Sequence, residues 1–326
     1  MKLRKILPGL FAAAGMAVLI LDSRTALIGA SEGVELCLKT VVPSLFPFFI
    51  LSGILVGSLM GQEFSGLSPI GHTLGIPKGA EVLLVSGFLG GYPVGAKAVR
   101  DAWEEGCVQK EAAERMLSFC NNAGPAFLFG IAGHMFSSPA AAWVIWGIHI
   151  ISALVTGWLF RLESSVLTHS LVRKSSSITQ AMTNAIKSCA QVCGWVISFR
   201  MLCCFLQRWI LWVLPLWMQT AVTGLLELAN GCLALGNIAS EPVRFVLCSG
   251  MLSLGGFSVL MQTMSVTRGL KLNYYIRGKL LQTLISILLS FVYVKWLSPM
   301  WLFTVVLLIL LNKIRFGGSI PEKYAV

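Results

Sequence analysis

Long stretches without a charged side chain constrain this chain more than any other feature. Lys, Arg, Asp and Glu are absent from residues 40–62, 116–160, 209–226 and 245–267, and residues 280–312 carry a single charge, Lys295. About 20 apolar residues cross the hydrocarbon core of a bilayer as a helix. Residues 116–160 are long enough for two crossings, with a turn predicted near residues 137–139. The sequence therefore predicts an all-α, multi-pass membrane protein.

Composition excludes several other classes. Hydrophobic residues make up 56% of the 326 residues and charged residues 12%, too few to cover a soluble core of this size. The net charge of +11 suits basic cytoplasmic loops, and no basic patch interleaved with aromatic residues indicates a nucleic-acid partner. The sequence has no metalloprotease, serine hydrolase or P-loop motif, and its nine cysteines lack metal-ligand spacing. We expect no enzyme activity, catalytic residue, metal or cofactor.

Charge patterning divides the chain into five parts. Residues 6–21 resemble the apolar core of a signal peptide, but no cleavage site follows, which favours a retained N-terminal membrane helix over residues 1–24. Residues 161–187 are polar and basic and predict a cytoplasmic linker. It separates a first half, 25–160, from a second half, 188–312, and a tail follows at 313–326. Within the first half, residues 25–60 form either an amphipathic helix plus one crossing, or a hairpin.

The two halves share a glycine-rich pattern. Residues 86–89 (Ser-Gly-Phe-Leu) match 249–252 (Ser-Gly-Met-Leu), and residues 90–94 align with 255–259, with Lys97 over Gln262. Duplicated and often inverted halves are a recurring plan of secondary transporters. We expect about eight to ten membrane segments in two pseudo-symmetric, inverted halves with broken or re-entrant helices.

The glycine-rich segment of the first half is a poor spanning helix. Residues 82–96 contain four glycines and Pro93, each glycine costing about 1 kcal/mol of helix stability. An unwound backbone at membrane depth faces protein or a water-filled cavity, and paired interruptions point to a transporter's substrate site. A surface loop is the alternative, disfavoured because residues 86–99 carry one charge. The predicted substrate-binding residues are Gly90, Gly91, Tyr92, Pro93, Lys97, Asn121, Asn122, Gly255, Gly256, Ser258 and Gln262.

Two alternatives stay open for the polar residues of the first half. Lys97 either attracts an anionic substrate beside the free N–H groups of a broken helix, or snorkels to the membrane surface. Asn121 and Asn122 either bind a polar ligand or satisfy backbone groups freed by Pro125.

In the second half, Glu227 and Asn230 follow a charge-free stretch. A buried Glu227 would be a candidate for proton or cation coupling, whereas an interfacial Glu227 would not. Arg200 interrupts an apolar run and is an ion-pair candidate for such a carboxylate. The charged residues 100–115 predict a solvated hairpin tip, with Glu111 and Arg115 at the spacing of an i,i+4 ion pair.

At these motifs the sequence resembles a known family. Residues 43–48 (Pro-Ser-Leu-Phe-Pro-Phe), residues 91–97 and residues 119–122 with Pro125 resemble the YlbJ-type sporulation integral membrane proteins, which belong with the nucleoside-recognition, or gate, domain proteins. The resemblance extends over about residues 35–291. Gly124 departs from it, since a small hydroxyl residue or alanine is expected there.

The resemblance implies a protein of the inner membrane of a spore-forming bacterium that moves dipicolinic acid. The gate-domain name points instead to nucleosides. The side chains of Lys97 and Arg200 suit a dianionic substrate better than a neutral nucleoside. A third hypothesis is a non-transporting scaffold that recruits partners through residues 100–115. Expected partners are a small organic anion or a nucleoside and the lipid bilayer, no nucleic acid, and a second copy of the chain in a homo-oligomer.

Overall fold

The computed structural model describes residues 2–62, 64–132, 135–161 and 178–296. In these ranges the fold consists of helices joined by turns and irregular segments, without a β-strand. Within it lie α1 Lys2–Leu21, α2 Ser23–Leu36, α3 Val42–Leu59, α4 Ser68–Leu74, α5 Val82–Leu89, α6 Val94–Glu104, α7 Lys110–Met116, α8 Pro125–Ala132, α9 Ala140–Leu159, α10 Ile178–Trp209, α11 Leu216–Leu226, α12 Leu228–Ala234, α13 Glu241–Leu254, α14 Gly256–Val266 and α15 Asn273–Trp296. A π-helical turn, Cys37–Val41, joins α2 to α3, and two 3₁₀ turns, Leu211–Val213 and Leu235–Asn237, flank the α11–α12 pair.

Five helical segments in the described ranges are long and apolar enough to cross a membrane. They are Ser23–Leu59, Ala140–Leu159, Ile178–Trp209, Glu241–Val266 and Asn273–Lys295. This confirms the prediction of an all-α, multi-pass membrane protein. In the described ranges the remaining apolar helices are shorter, among them the apolar stretch Ile6–Leu21 of α1, so the expected count of eight to ten segments includes helices below membrane-spanning length.

Two of the predicted boundaries change. Ser23–Leu59 is one continuous helix of 37 residues, so the hairpin alternative for residues 25–60 is wrong. Residues 116–160 hold one crossing, α9, and the short helix α8, because residues 117–124 are not helical. Most of the predicted linker, the end of the second half from residue 297 and the tail at 313–326 lie outside the described residues. Residues 178–187 of the linker begin α10.

Both predicted interruptions are present. Residues 90–93, named the first break, separate α5 from α6, and include a cis peptide bond between Tyr92 and Pro93. Gly255 and Gly256, named the second break, separate α13 from α14. Gly91 has φ +81° and Gly255 has φ +78°, a left-handed conformation that glycine adopts without steric cost. Both α5 and α13 therefore end at a glycine, whereas α6 begins after Pro93 and α14 begins at Gly256.

A third interruption is the helical hairpin α11–α12, whose two helices are joined by Glu227 alone. Its arms touch at glycine, because a Cβ on Gly231 would overlap the Cα of Gly224. A Cβ on Gly256 would lie 2.8 Å from the carbonyl oxygen of Gly224, so the second break rests on the end of α11. These glycines allow backbone-to-backbone contact that any larger residue would prevent.

Candidate functional site

The site forms around a non-helical segment, residues 117–124, that runs between helices. The carbonyl oxygen of Cys120 lies where a Cβ of either Gly87 or Gly95 would stand. Gly87 belongs to α5 and Gly95 to α6, so both helices that flank the first break pack directly against the same peptide group. At Gly278 of α15 a Cβ would lie 2.5 Å from that of Ser118. The glycines that weaken these helices are therefore needed for close packing.

The segment also touches the first break directly. A Cβ on Gly124 would lie 3.0 Å from the Cα of Gly91 and 3.2 Å from the carbonyl oxygen of Leu89. The departure at residue 124 from the family pattern thus has a structural reason, since an alanine would press against the first break.

Tyr92 connects the two breaks. Its hydroxyl donates to the carbonyl oxygen of Leu252 at 3.1 Å and lies 3.4 Å from that of Ser253, both at the end of α13. Its ring lies 3.4 Å from the position of a Cβ on Gly255. The sequence motifs that aligned between the halves therefore meet in space.

Asn121 connects the two helices that restart after the breaks. Its Oδ1 accepts from the backbone N–H of Ala96 in α6 at 3.3 Å, and its Nδ2 donates to Oγ1 of Thr263 in α14 at 3.0 Å. Asn121 is fully buried. Of the two alternatives for the asparagines, the structure supports a bridging role for this one, although it bridges α6 and α14 rather than groups freed by Pro125.

Lys279 of α15 is the central charge of the site. Its side chain is buried, and Nζ donates to Oη of Tyr92 at 3.2 Å, Oδ1 of Asn122 at 3.2 Å and Oε1 of Gln282 at 2.6 Å. Nζ also lies 5.0 Å from the centre of the Tyr92 ring. Among the described residues, no carboxylate oxygen lies within 4.0 Å of this ammonium group. Three neutral oxygens satisfy its three N–H groups but leave the charge uncompensated.

A buried polar network continues from Lys279 into α9 and α13. Nε2 of Gln282 donates to Oδ1 of Asn122 at 3.1 Å and contacts the carbonyl oxygen of His149 at 3.3 Å. Nε2 of His149 accepts from the backbone N–H of Ala123 at 3.0 Å, so Nδ1 carries the proton and donates to Oγ of Ser253 at 3.2 Å. The hydroxyls of Ser253, Ser286 and Ser152 extend the network with contacts of 2.6 and 2.7 Å.

A small cavity of about 40 Å³ lies against Tyr92. Glu227, Gly124 and Gln262 line it together with apolar side chains of α3, α8 and α10. A water molecule needs roughly 10–15 Å³ of such volume, so the cavity has room for a few waters. It is far below the roughly 300–1,000 Å³ of a pocket for a drug-sized molecule.

Glu227 and Asn230 form the cap of the α11–α12 hairpin. The carboxylate of Glu227 is buried, and Oε2 accepts from the backbone N–H of Asn230 at 2.7 Å and from its Nδ2 at 2.6 Å. Of these two predicted residues, Glu227 lines the cavity and Asn230 holds its carboxylate. Gln262 of α14 lines the same cavity, and its Nε2 donates to Oγ of Ser258 at 3.1 Å.

Two predicted residues lie away from this site. Lys97 sits one turn beyond the first break, is partly exposed, and pairs with Asp101 at 2.6 Å. Arg200 pairs with Glu32 of α2 through Nε at 2.9 Å and Nη2 at 2.6 Å, instead of with Glu227.

The predicted solvated tip at residues 100–115 is also wrong in part. Arg115 is 1% exposed and donates to the carbonyl oxygens of Leu74, at 2.7 Å, and Gly75. Glu114 is buried as well and accepts from the backbone N–H of Lys271 at 2.9 Å. The i,i+4 spacing suggested a pair with Glu111, but the guanidinium instead caps the end of α4, whose carbonyls need donors.

Sequence reasoning missed Lys279, Gln282, His149, Ser253 and Ser286. A signal for three of them was present: Lys279, Gln282 and Ser286 recur at intervals of three and four, which places them on one face of an apolar helix. Within the described residues, no group of three His, Cys, Asp or Glu side chains is arranged to hold a metal ion.

Comparison with known proteins supports the membrane assignment. The chain is 30% identical over 149 residues to the sporulation integral membrane protein YlbJ of Bacillus subtilis (strain 168). The match covers 44% of this chain and 36% of that relative, a shorter range than residues 35–291. No family model and no solved structure matches the chain. The protein is thus a multi-pass membrane protein homologous to a sporulation integral membrane protein.

Proposed function

We propose that the protein is a transporter for a small organic anion, with dipicolinic acid as the first compound to test. The observation that carries the proposal is the buried ammonium of Lys279, which has no carboxylate within 4.0 Å among the described residues. A charge in this position is costly unless something of opposite charge compensates it. A carboxylate of the solute would supply that charge and replace one of the three neutral oxygens.

The surroundings of Lys279 support transport rather than simple binding. Its partners Tyr92 and Asn122 belong to the first break and to the non-helical segment 117–124, and Tyr92 also holds the second break. An anion that draws Lys279 away from these oxygens therefore loosens contacts between the two breaks. Coupling of a bound solute to two interrupted helices is the arrangement by which many secondary transporters alternate their access.

Transport through this point requires movement. The cavity beside Tyr92 has room for a few water molecules only, so an aromatic dicarboxylate needs the helices around it to separate. Two hydrogen bonds join the elements on either side of this pathway directly at the breaks: Tyr92 to Leu252, and Asn121 to Thr263. We propose that these two contacts close the pathway in this conformation, and that the two halves are related as an inverted repeat.

The choice of dipicolinic acid comes from the family resemblance and from charge. One carboxylate of a dianion compensates the charge of Lys279, whereas a nucleoside offers only hydrogen bonds to Asn122 and Gln282. A scaffold acting through residues 100–115 is disfavoured because Arg115 and Glu114 are buried and already paired. We also propose that the protein is not an enzyme.

The test is uptake of labelled dipicolinate by proteoliposomes containing wild-type protein, Lys279→Met, Lys279→Arg or Lys78→Gln. Lys78 is exposed and serves as the matched control. We expect loss of uptake in Lys279→Met, partial uptake in Lys279→Arg, and wild-type uptake in Lys78→Gln. Uptake of labelled uridine that excess dipicolinate does not reduce, with no uptake of labelled dipicolinate, would assign a nucleoside instead. Wild-type uptake by a folded Lys279→Met protein would disprove the role of the ammonium.

A further inference from the structure

A second cavity, of about 250 Å³, lies away from the central site, between α6, α10 and the end of α14. Four cationic side chains line it, together with four uncharged polar ones, and its lining contains no carboxylate. The cations are Lys97, Arg100, Lys187 and Arg268, and the polar residues are Asn184, Ser188, Gln191 and Ser265. This cavity is named the basic cavity.

The charges of the basic cavity are only partly compensated. Lys97 pairs with Asp101 at 2.6 Å, and Arg100 pairs with Asp101 at 3.3 Å and with Glu104. In the described ranges, Lys187 and Arg268 have no carboxylate within 4.0 Å. A concave surface with two uncompensated cations concentrates anions more strongly than scattered surface lysines do.

The basic cavity leads toward the first break. A neighbouring cavity of about 210 Å³ shares Lys97, Arg100 and Asn184 with it and reaches Val94, the first residue of α6 after the break. The two cavities therefore meet at the Lys97 and Arg100 side chains, and Asp101 and Glu105 also line the second one. Excess basic residues on one membrane side explain a positive surface, but they do not require a concave, polar-lined site with this continuation.

We infer that the basic cavity is a binding site for an anion that bears phosphate or carboxylate groups. Guanidinium and ammonium groups donate several hydrogen bonds to such oxygens, and the hydroxyls and amides that line the cavity add further donors. A free solute and the headgroup of an anionic lipid both carry this chemistry. The inference stands independently of Lys279, and it gives Lys97 a role at the mouth of the pathway rather than at the break.

The test measures how fast Lys187 reacts with an amine-acetylating reagent, read by mass spectrometry relative to Lys78. Wild-type protein is compared in phosphatidylcholine nanodiscs alone, with added phosphate, with added dipicolinate, and with phosphatidylglycerol in the bilayer. We expect a several-fold slower reaction of Lys187 in at least one of the three anion conditions, weakened by added sodium chloride. Protection by the soluble anions assigns a solute site, and protection by phosphatidylglycerol alone assigns a lipid headgroup site.

Matched variants show whether protection comes from the cavity. Arg268→Gln removes an unpaired cation from the lining and should abolish the protection of Lys187, whereas Arg24→Gln, an exposed residue of α2, should leave it intact. Equal rates in all four conditions would overturn the inference, and so would equal protection in Arg268→Gln. The acetylation rates do not depend on transport. The test of the basic cavity therefore remains valid even if the uptake experiment detects no transport.

Discussion

The hydroxyl of Tyr92 lies 3.1 Å from the carbonyl oxygen of Leu252, so that one hydrogen bond joins interruptions 160 residues apart in the chain. The hydroxyl oxygen of Tyr92 also accepts a hydrogen bond from Nζ of Lys279, which makes Tyr92 a shared partner of the second break and of the buried cation.

Replacing Tyr92 by Phe removes this shared partner. We expect a loss of about 1–3 kcal/mol in the free energy of unfolding, because the variant leaves one N–H of Lys279 and the Leu252 carbonyl without a partner. Thermal denaturation in detergent measures the change. Tyr274→Phe is the control, since the Tyr274 ring packs on Phe160 while its hydroxyl has no hydrogen-bond partner among the described residues. A Tyr92→Phe protein as stable as this control would contradict the bridging role.

Replacing Asn122 by Asp supplies the carboxylate that Lys279 lacks. Since Oδ1 of Asn122 already lies 3.2 Å from Nζ, the variant forms an ion pair with little rearrangement. We expect at least about a tenfold loss of affinity for organic anions. The change in thermal stability combines the new ion pair with the loss of the hydrogen bond from Nδ2 of Asn122 to the carbonyl oxygen of Phe119. Titration of the purified protein with dipicolinate measures the affinity.

Asn121→Asp is the matched control for this charge, because the Asn121 side chain faces α6 and α14 rather than Lys279. If both variants lower anion affinity equally, the added charge acts at a distance and the specific role of Lys279 is not supported.

Gly95→Ala tests the close packing of α5 and α6 against residues 117–124. A Cβ at Gly95 overlaps the carbonyl oxygen of Cys120, which cannot move freely because Gly87 holds its other side. We expect destabilisation of roughly 1–3 kcal/mol or more from overpacking. Gly194→Ala in α10 meets nothing within 4 Å and should be neutral or stabilise by about 0.5–1 kcal/mol. Equal melting temperatures for the two variants would count against the close contact.

Arg115→Gln tests the burial of the charged segment. The variant leaves the carbonyl groups of Leu74 and Gly75 without their donors, and we expect a loss of about 1–3 kcal/mol from the unsatisfied buried acceptors. Glu111→Gln changes an exposed side chain of the same helix and should stay within about 0.5 kcal/mol of wild type. Urea or thermal unfolding compares the two, and similar stabilities would mean that the segment is a solvated tip after all.

Glu227→Gln tests the predicted coupling role. The amide oxygen can still accept from the backbone N–H of Asn230, so we expect the α11–α12 hairpin to remain folded and the melting temperature to change little. If Glu227 carries a coupled proton, uptake by this variant loses its dependence on a pH gradient while passive exchange continues. Uptake that follows the gradient as in wild type would remove Glu227 from the coupling step.

Local chemistry allowed the sequence to predict the interruptions of the helices. Gly91 and Gly255 adopt backbone conformations that other residues rarely reach, and Pro93 cannot donate to a helix. The positions of these residues therefore fix where α5 and α13 end. Their meeting in space was a prediction from the similarity of the halves, and the contact between Tyr92 and Leu252 confirms it.

The charged centre of the site could not be found in the same way. Because a membrane segment was expected to lack charged residues, the last one was predicted to begin after Lys279. This criterion placed the key cation outside the membrane. Lys97 was chosen because it follows the first break in the chain, yet one helical turn carries it to Asp101. Burial of Arg115 depends on the turn at Gly75, 40 residues away, which no local spacing reveals.

The position of Lys279 on α15 has a consequence for the order in which the protein assembles. Tyr92 and Asn122 emerge from the ribosome well over a hundred residues before their ammonium partner. Until α15 inserts beside α9 and α13, Tyr92 and Asn122 lie in the bilayer without their hydrogen-bond donor Lys279. A truncated or stalled chain that lacks α15 should consequently be a preferred substrate for membrane quality-control proteases.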